Sequence, residues 1–356
     1  MATSEQNKFT LGTPPSILID YDLGKVIHNC KKPTDSKTLY ESISEIALNV
    51  DTPVICLSGG GDSQFNFMLF KELGIDFEVV SYATKWGINT INADDVLVGD
   101  DLCKKYNVKR TVIDIDLQQF LETKEYIDVA EKYGTYSPQI ALHIKFLSKI
   151  QDLGTPVLGD EPPLMRMNSG VPLLGLDTNG IARTLEGYNN FRDDGNKYFR
   201  NLLYSSPEIF YKSVENNITT IKEQKVYNET TNANREHTSP HRYKYCYYNT
   251  ILKDLQVESR LIKSTGFETV QKYFASLNND MDSFDRKYRY NLLQNSKNLR
   301  HFMTVEGNMY LTADNFSVES LTKVESIWKG NLKDLKQEYM DAISKYKPKN
   351  IFDYML

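Results

Sequence analysis

TPVICLSGGGDS, residues 52–63, is the stretch that decides the fold. Its first half is a short, nearly continuous apolar run, which is typical of a buried parallel strand. Three glycines follow, and residues 65–74 predict an apolar helix that ends at Gly74. Glycine tolerates positive φ and lets a ligand approach the backbone closely. A strand, a glycine loop and a helix in this order predict an anion site, because free N–H groups and the positive end of a helix dipole meet there.

Strands and helices alternate beyond this loop. The predicted elements are, in order, a strand at 75–83, a helix at 91–107, a strand at 108–116, helices at 118–134 and 138–154, and a strand within 155–164. Such alternation predicts an α/β fold, a doubly wound parallel sheet with helices on both faces.

The two ends of the chain differ from this central part. Residues 1–50 predict a loose arm, two short strands around a turn within 16–28, and a helix at 38–50 capped by Asp35 or Ser36. Residues 51–200 form the predicted α/β domain. Residues 201–356 predict a mainly helical C-terminal part, with helices at 207–225, 241–256, 267–276, 284–297 and 316–346.

Composition narrows the class of protein. Hydrophobic residues make up 40% and charged residues 25% of the 356 residues, which is typical of a folded globular chain. The formal net charge of -5 provides no global field for a polyanion, so nucleic acid is a disfavoured partner. The polar N-terminus and the lack of any apolar stretch near ~20 residues predict a cytoplasmic protein with no membrane partner.

The four cysteines are Cys30, Cys56, Cys103 and Cys246, and none forms a C-x-x-C pair. Neither a zinc ribbon, nor a closely spaced Fe–S ligand set, nor a disulfide framework is therefore expected.

The glycine loop differs from the common phosphate loops. It lacks the lysine of the Walker A pattern, and it is not G-x-G-x-x-G. A turn built only for packing is the alternative, but such a turn would need one glycine rather than three. Ser58 and Ser63 add hydroxyl donors on either side. We therefore expect a cradle for a polyphosphate.

The S-G-G-x-D-S signature of the PP-loop (N-type) ATP pyrophosphatases is matched by Leu57-Ser58-Gly59-Gly60-Gly61-Asp62-Ser63. Over residues 50–165 the chain resembles this superfamily, which has the fold of the HUP-type adenine nucleotide α-hydrolases. Within this superfamily it is most similar to asparagine synthetase-like enzymes. We expect no glutaminase domain, because only 57 residues precede Ser58. The resemblance implies that the loop grips the β- and γ-phosphates of ATP and that Asp62 coordinates Mg²⁺. It also implies an adenine site at the backbone near Val80, Ser81 and Tyr82.

A second candidate set follows the strand within 155–164. The resemblance implies that this strand lies beside the first one and that Gly159 completes the pyrophosphate site. Asp160 would be a second metal ligand and Glu161 a general base, or the reverse. A turn of solvated acids is the alternative. Ser137-Pro138-Gln139 and His143 are further candidates for the entrance.

A third set lies at Ser259–Glu268, where Arg260 and Lys263 combine with a glycine turn. Adenylate chemistry builds negative charge, and these cations would stabilise it as catalytic residues. A surface charge pair is the alternative. Arg183 and Arg192 are weaker candidates.

The leading hypothesis is an ATP-dependent ligase or amidotransferase that adenylates a carboxylate or carbonyl oxygen of a small molecule. A nucleophile would then displace AMP. If that nucleophile is nitrogen, it comes from free ammonia, an amine substrate or a partner subunit.

The alternatives are an RNA- or nucleobase-modifying enzyme and a nucleotide-binding regulatory module without turnover; a sulfonucleotide reductase relative is a minor option. Arg, Lys and Tyr interleave at 241–248 and 284–291, as in some nucleic-acid-binding segments. Helix faces with snorkelling cations are the alternative for both segments.

Overall fold

The computed structural model describes residues 17–20, 25–28, 32–133, 138–159, 162, 165–168, 171–174, 187–188, 190–200, 202–224, 240–258, 303–305 and 309–311. The strands are β1 (Ile17–Asp20), β2 (Lys25–His28), β3 (Pro53–Cys56), β4 (Glu78–Trp86), β5 (Asn89–Thr90), β6 (Arg110–Asp116), β7 (Thr155–Leu158), β8 (Met165–Asn168), β9 (Val171–Leu174), β10 (Phe199–Arg200), β11 (Met303–Val305) and β12 (Met309–Leu311). The helices are α1 (Leu39–Leu48), α2 (Gly61–Glu72), α3 (Ala93–Lys105), α4 (Leu117–Glu122), α5 (Glu125–Tyr133), α6 (Pro138–Ser148), α7 (Pro207–Gln224) and α8 (Pro240–Ile251).

The central sheet has the order β10-β7-β3-β4-β6, and each of these neighbouring pairs is parallel. The short β5 pairs antiparallel with the end of β4. Three separate hairpins are formed by β1 with β2, β8 with β9, and β11 with β12. The predicted α/β fold with a parallel-rich sheet is confirmed.

Helices cover both faces of the sheet, as the doubly wound prediction required. Side chains of β3 alternate: Ile55 packs with α1, α2, α7 and α8, whereas Val54 packs with α4, α5 and α6. Strand β3 is therefore buried on both sides, which explains its continuous apolar sequence.

Several predicted boundaries were wrong. Helix α1 is capped by Thr38, whose side chain accepts from the N–H of Glu41 while Glu41 bonds back in a capping box. Asp35, one of the two predicted caps, instead pairs with Lys212 of α7. The predicted helix at 118–134 is split into α4 and α5, because Lys124 has a φ of 64° and stops the first helix.

Helix α2 begins at Gly61 rather than near residue 65, so Asp62 and Ser63 belong to its first turn. The strand predicted within 155–164 ends at Leu158. In the C-terminal part, α7 and α8 confirm two predicted helices, whereas 267–276, 284–297 and 316–346 lie outside the described residues. In the described part of the chain, no helix is long and apolar enough to cross a bilayer.

Candidate functional site

The site lies at the topological switch point of the sheet, where the chain changes the side on which it adds strands. From β3 the chain moves through α2 to β4 along one face, whereas β7 is reached through α4, α5 and α6 on the other face. Strand β7 lies beside β3, as the sequence predicted, with Ile55 opposite Val157. A crevice opens at the carboxyl ends of two strands with this arrangement, and ligands bind there in open α/β sheets.

The loop after β3 enters this crevice in a conformation that requires glycine. Gly59 has a φ of 73°, and a Cβ there would lie 3.0 Å from Cβ of Val98. Gly60 has an extended backbone and is the N-cap residue of α2, and no side chain caps the N–H groups of the first turn. Among the described residues, no acceptor engages the backbone N–H groups of residues 59–63. Five successive donors at a helix N-terminus form a cradle for an anion.

The two serines of the loop have different positions. Ser63 is buried, and its Oγ accepts from the N–H of Ser58 at 3.2 Å and donates to the carbonyl of Gly60 at 3.0 Å. Its hydroxyl therefore orders the loop. Ser58 is exposed, and its Oγ lies 3.2 Å from Oγ of Ser63, so its hydroxyl faces solvent at the crevice.

Gly159 brings the end of β7 against the first turn of α2. A Cβ at this position would lie 2.5 Å from the backbone nitrogen of Ser63 and 2.7 Å from the carbonyl carbon of Asp62. Asn66 of α2 also donates to the carbonyl of Leu158 at 2.9 Å. The structure thus brings Gly159 and the glycine loop together. Asp160 and Glu161 lie outside the described residues.

Asp62 is held from a distant part of the chain. The hydroxyl of Tyr248 donates to Oδ1 of Asp62 at 2.6 Å, and Nζ of Lys244 lies 3.3 Å from Oδ2. Tyr248 also stacks on Phe65, with ring centroids 4.6 Å apart. Lys244 and Tyr248 both belong to α8. They lie within the 241–248 segment, which sequence analysis considered only as a nucleic-acid-binding segment or as a helix face with snorkelling cations. Their spacing of four residues, which places two side chains on one helix face, is the signal that could have linked them.

An ionised carboxylate offers about four lone-pair sites, and Tyr248 and Lys244 use two of those on Asp62. The Asp62 side chain remains 27% exposed. Mg²⁺ in nucleotide sites needs only one or two carboxylates and keeps waters and phosphate oxygens as its other ligands. The carboxylate of Asp62 therefore fits such an ion. Within the described ranges, no group of three His, Cys, Asp or Glu side chains could hold a metal by itself.

The residues predicted to receive adenine lie on β4, one strand away from the loop. Ser81 is buried, and its hydroxyl donates to the carbonyl of Leu57 at 2.5 Å. The side chain of Asn92 donates to the carbonyl of Tyr82 at 3.0 Å and accepts from the N–H of Thr84 at 2.7 Å. The carbonyl of Tyr82 is thus already engaged by Asn92, and Ser81 ties β4 to the start of the loop.

The Tyr82 side chain points to the opposite face from Ser81. Its hydroxyl lies 3.2 Å from Nε2 of His143, and Nδ1 of His143 lies 2.7 Å from the hydroxyl of Tyr188. Burial raises the pKa of the Tyr82 phenol, and the carboxylate of Asp95 raises it further. His143 is therefore one member of a Tyr–His–Tyr chain. Arg192, a weaker candidate, pairs with Asp193.

The segment after α8 returns along α2 to the loop. Glu72 accepts from the N–H of Asp254 at 2.8 Å near the end of α2. At the start of α2, Gln64 accepts from the N–H of Glu258 at 3.0 Å and donates to the carbonyl of Gly59 at 2.9 Å. Gln64 therefore links the loop to this segment. The candidates that follow, Arg260 and Lys263, lie outside the described residues, as do Arg183 and Ser137.

No protein-family model matches the chain, and no curated protein matches it. Two solved structures resemble it weakly. NMN synthetase from Francisella tularensis is 18% identical with a TM-score of 0.26, over 35% of this chain and 52% of that chain, so the chain spans about half the length of that structure. The U34-tRNA thiolase NcsA from Methanococcus maripaludis, with its [4Fe-4S] cluster, is 11% identical with a TM-score of 0.28, over 93% and 98%. Similarity at this level carries no argument about function.

Proposed function

We propose that the chain is an ATP-using enzyme of the PP-loop pyrophosphatase type. The observation that carries this proposal is the row of N–H groups at residues 59–63, which have no acceptor among the described residues and lie beside Gly159 at the end of β7. Successive N–H groups and a helix dipole favour an anion with several oxygens, such as the diphosphate end of a nucleotide. The match to S-G-G-x-D-S at the same residues selects this class over other phosphate loops.

In the proposed reaction, a carboxylate or carbonyl oxygen of a small molecule attacks the α-phosphorus of ATP. The bond between the α-phosphorus and the bridging oxygen breaks, and pyrophosphate leaves with the electron pair. The N–H groups of residues 59–63 would hold the leaving pyrophosphate, and Gly159 would keep the opposite wall of the cradle open. These groups need no reorganisation during reaction, because the fold fixes them in advance.

Mg²⁺, when bound, would neutralise charge on the phosphates, and Asp62 is the described carboxylate that would hold it. We propose Asp160 as a second ligand and Glu161 as general base. Arg260 follows Glu258 by two residues and Lys263 follows it by five. Because the N–H of Glu258 is bonded to Gln64 at the loop, this short connection supports Arg260 and Lys263 as cations for the developing charge.

We propose a small-molecule acceptor, followed by displacement of AMP by a nucleophile. Nitrogen from ammonia or from a partner subunit would make the enzyme an amidotransferase. RNA modification ranks lower, because two members of the 241–248 segment, Lys244 and Tyr248, contact Asp62.

The test is to incubate the purified chain with ATP and Mg²⁺, with and without a pooled small-molecule extract, and to identify the nucleotide product. We expect AMP and pyrophosphate, lost in Asp62→Ala and kept in Asp94→Ala, which removes an aspartate from the first turn of α3 instead. ADP and phosphate would overturn the proposal. Binding of ATP without turnover in any extract would favour a regulatory module.

A further inference from the structure

Helix α8 brings into the site a lysine that the signature itself does not contain. Lys244 is only 8% exposed, and Nζ lies 3.3 Å from Oδ2 of Asp62 in the first turn of α2. The helix passes directly over the loop, because a Cβ on Gly61 would lie 3.0 Å from the ring of Tyr245. The absence of a side chain at Gly61 thus makes room for α8, and Lys244 is the cation that α8 brings beside the anion cradle.

The ion pair between Lys244 and Asp62 is loose on one side. Burying an ammonium group is costly unless it is paired and hydrogen-bonded. Its partner Asp62 is 27% exposed and lies at 3.3 Å, longer than the 2.7–2.9 Å typical of a charge-assisted hydrogen bond. Tyr248 holds the other oxygen of Asp62 at 2.6 Å and so fixes the carboxylate that faces Lys244. A lysine ammonium beside a helix N-terminus can bind a phosphate as a point charge.

We propose that Lys244 binds the polyphosphate of the nucleotide, and that Asp62 and Tyr248 position it before the nucleotide arrives. This inference rests on the proposed function, since it assumes that a polyphosphate occupies the cradle of residues 59–63. Lys244 supplies the positive charge that the loop lacks. Lys244 would bind ATP and pyrophosphate but not AMP, because AMP lacks the β- and γ-phosphates that leave as pyrophosphate.

The test is titration calorimetry of pyrophosphate, ATP and AMP, each with Mg²⁺, against the full chain. Lys244→Met is expected to weaken pyrophosphate and ATP binding by about 10- to 100-fold, the range for one charge-assisted hydrogen bond. AMP affinity should change little, and Lys244→Arg should recover part of the loss. Lys212→Met is the matched control, because Lys212 of α7 is an equally buried lysine that also pairs with an aspartate, Asp35.

Urea unfolding of each variant identifies any that fails to fold, and Lys244→Gln then replaces Lys244→Met. Equal affinity of wild type and Lys244→Met for pyrophosphate and ATP would overturn the role of Lys244 and leave the proposed function standing. An equal loss for AMP would also overturn it, because the effect would then be a general disturbance of the site. Absence of any pyrophosphate or ATP binding by the wild type would overturn both proposals.

Discussion

Tyr248 donates a 2.6 Å hydrogen bond to Oδ1 of Asp62, a residue 186 positions earlier in the sequence. The bond joins α8 to the first turn of α2, at the point where the glycine loop ends. Stacking of Tyr248 on Phe65 reinforces the same contact. Helix α8 therefore packs on the start of α2, and the orientation of the Asp62 carboxylate depends on a residue of that helix.

Replacing Tyr248 by phenylalanine keeps the stacking and removes only this hydrogen bond. We expect the free energy of unfolding to fall by about 1.5–3 kcal/mol, the range for a hydrogen bond to a charged group. Urea unfolding measures the change. Tyr245→Phe is the control, because the Tyr245 hydroxyl makes no hydrogen bond within the described residues. Equal losses in the two variants would show that the bond to Asp62 contributes nothing.

Sequence patterns were sufficient for the middle of the central sheet, because β3 is buried on both faces and its apolar run has few other interpretations. The glycines at residues 59–61 likewise predicted a tight loop between the strand and the helix, since backbone requirements are local, whereas polyphosphate binding by this loop stays a prediction. The partners of Asp62 could not be found in this way. Lys244 and Tyr248 reach the loop through helix packing, and a K-Y-C-Y-Y run has no periodicity that distinguishes a buried face from a surface one.

Gly159 is expected to tolerate no side chain. The added Cβ of Gly159→Ala would collide with the backbone of Asp62 and Ser63, and backbone atoms cannot move aside as a side chain does. We predict a loss of about 1–3 kcal/mol of stability, as for other overpacked sites, together with loss of pyrophosphate binding in calorimetry.

Gly74→Ala is the control for this variant. Gly74 ends α2 with a φ of 63° and open space around it, so alanine there costs backbone strain without touching the loop. It should lower stability by about 1–2 kcal/mol and leave pyrophosphate binding intact. Full pyrophosphate binding by Gly159→Ala would mean that the end of β7 does not form part of the cradle.

The described cysteines should differ in reactivity. Burial raises the pKa of the Cys103 thiol to about 11 and that of Cys56 further. Because the thiolate is the reacting species, both should resist iodoacetamide in the folded protein. Cys246 is partly exposed and should react first. Peptide mass mapping over time measures this order, and early modification of Cys56 would show that the sheet beneath the loop opens readily.

The pair of Lys212 and Asp35 should give a pH-dependent part of the stability. The Lys212 ammonium, 2.6 Å from Oδ1, lowers the pKa of Asp35. A lowered carboxyl pKa stabilises the fold above the ordinary value, and this contribution is lost as pH falls through the lowered one. Asp35→Asn should therefore reduce the melting temperature near neutral pH, with the difference from wild type shrinking as the pH falls below the ordinary pKa of a carboxyl group.

Lys212→Met should cost less than Asp35→Asn at neutral pH. Removing the lysine leaves a half-exposed carboxylate that water can solvate. Removing the aspartate leaves a buried ammonium whose remaining hydrogen-bond partner among the described residues is the Ser42 hydroxyl at 2.8 Å. Melting curves of both variants over the same pH range decide the order. The reverse order would mean that Lys212 is solvated in the folded chain.

Two ATP analogues test the central claim, cleavage between the α- and β-phosphates, most directly. In β,γ-imido ATP the bond from the α-phosphorus to the bridging oxygen is intact, whereas in α,β-methylene ATP a carbon replaces that oxygen. With Mg²⁺ and the acceptor extract, chromatography should show AMP and imidodiphosphate from the first analogue and no product from the second. Turnover of α,β-methylene ATP with β,γ-imido ATP left intact would contradict the account, because the γ-phosphoryl group would then be the one transferred.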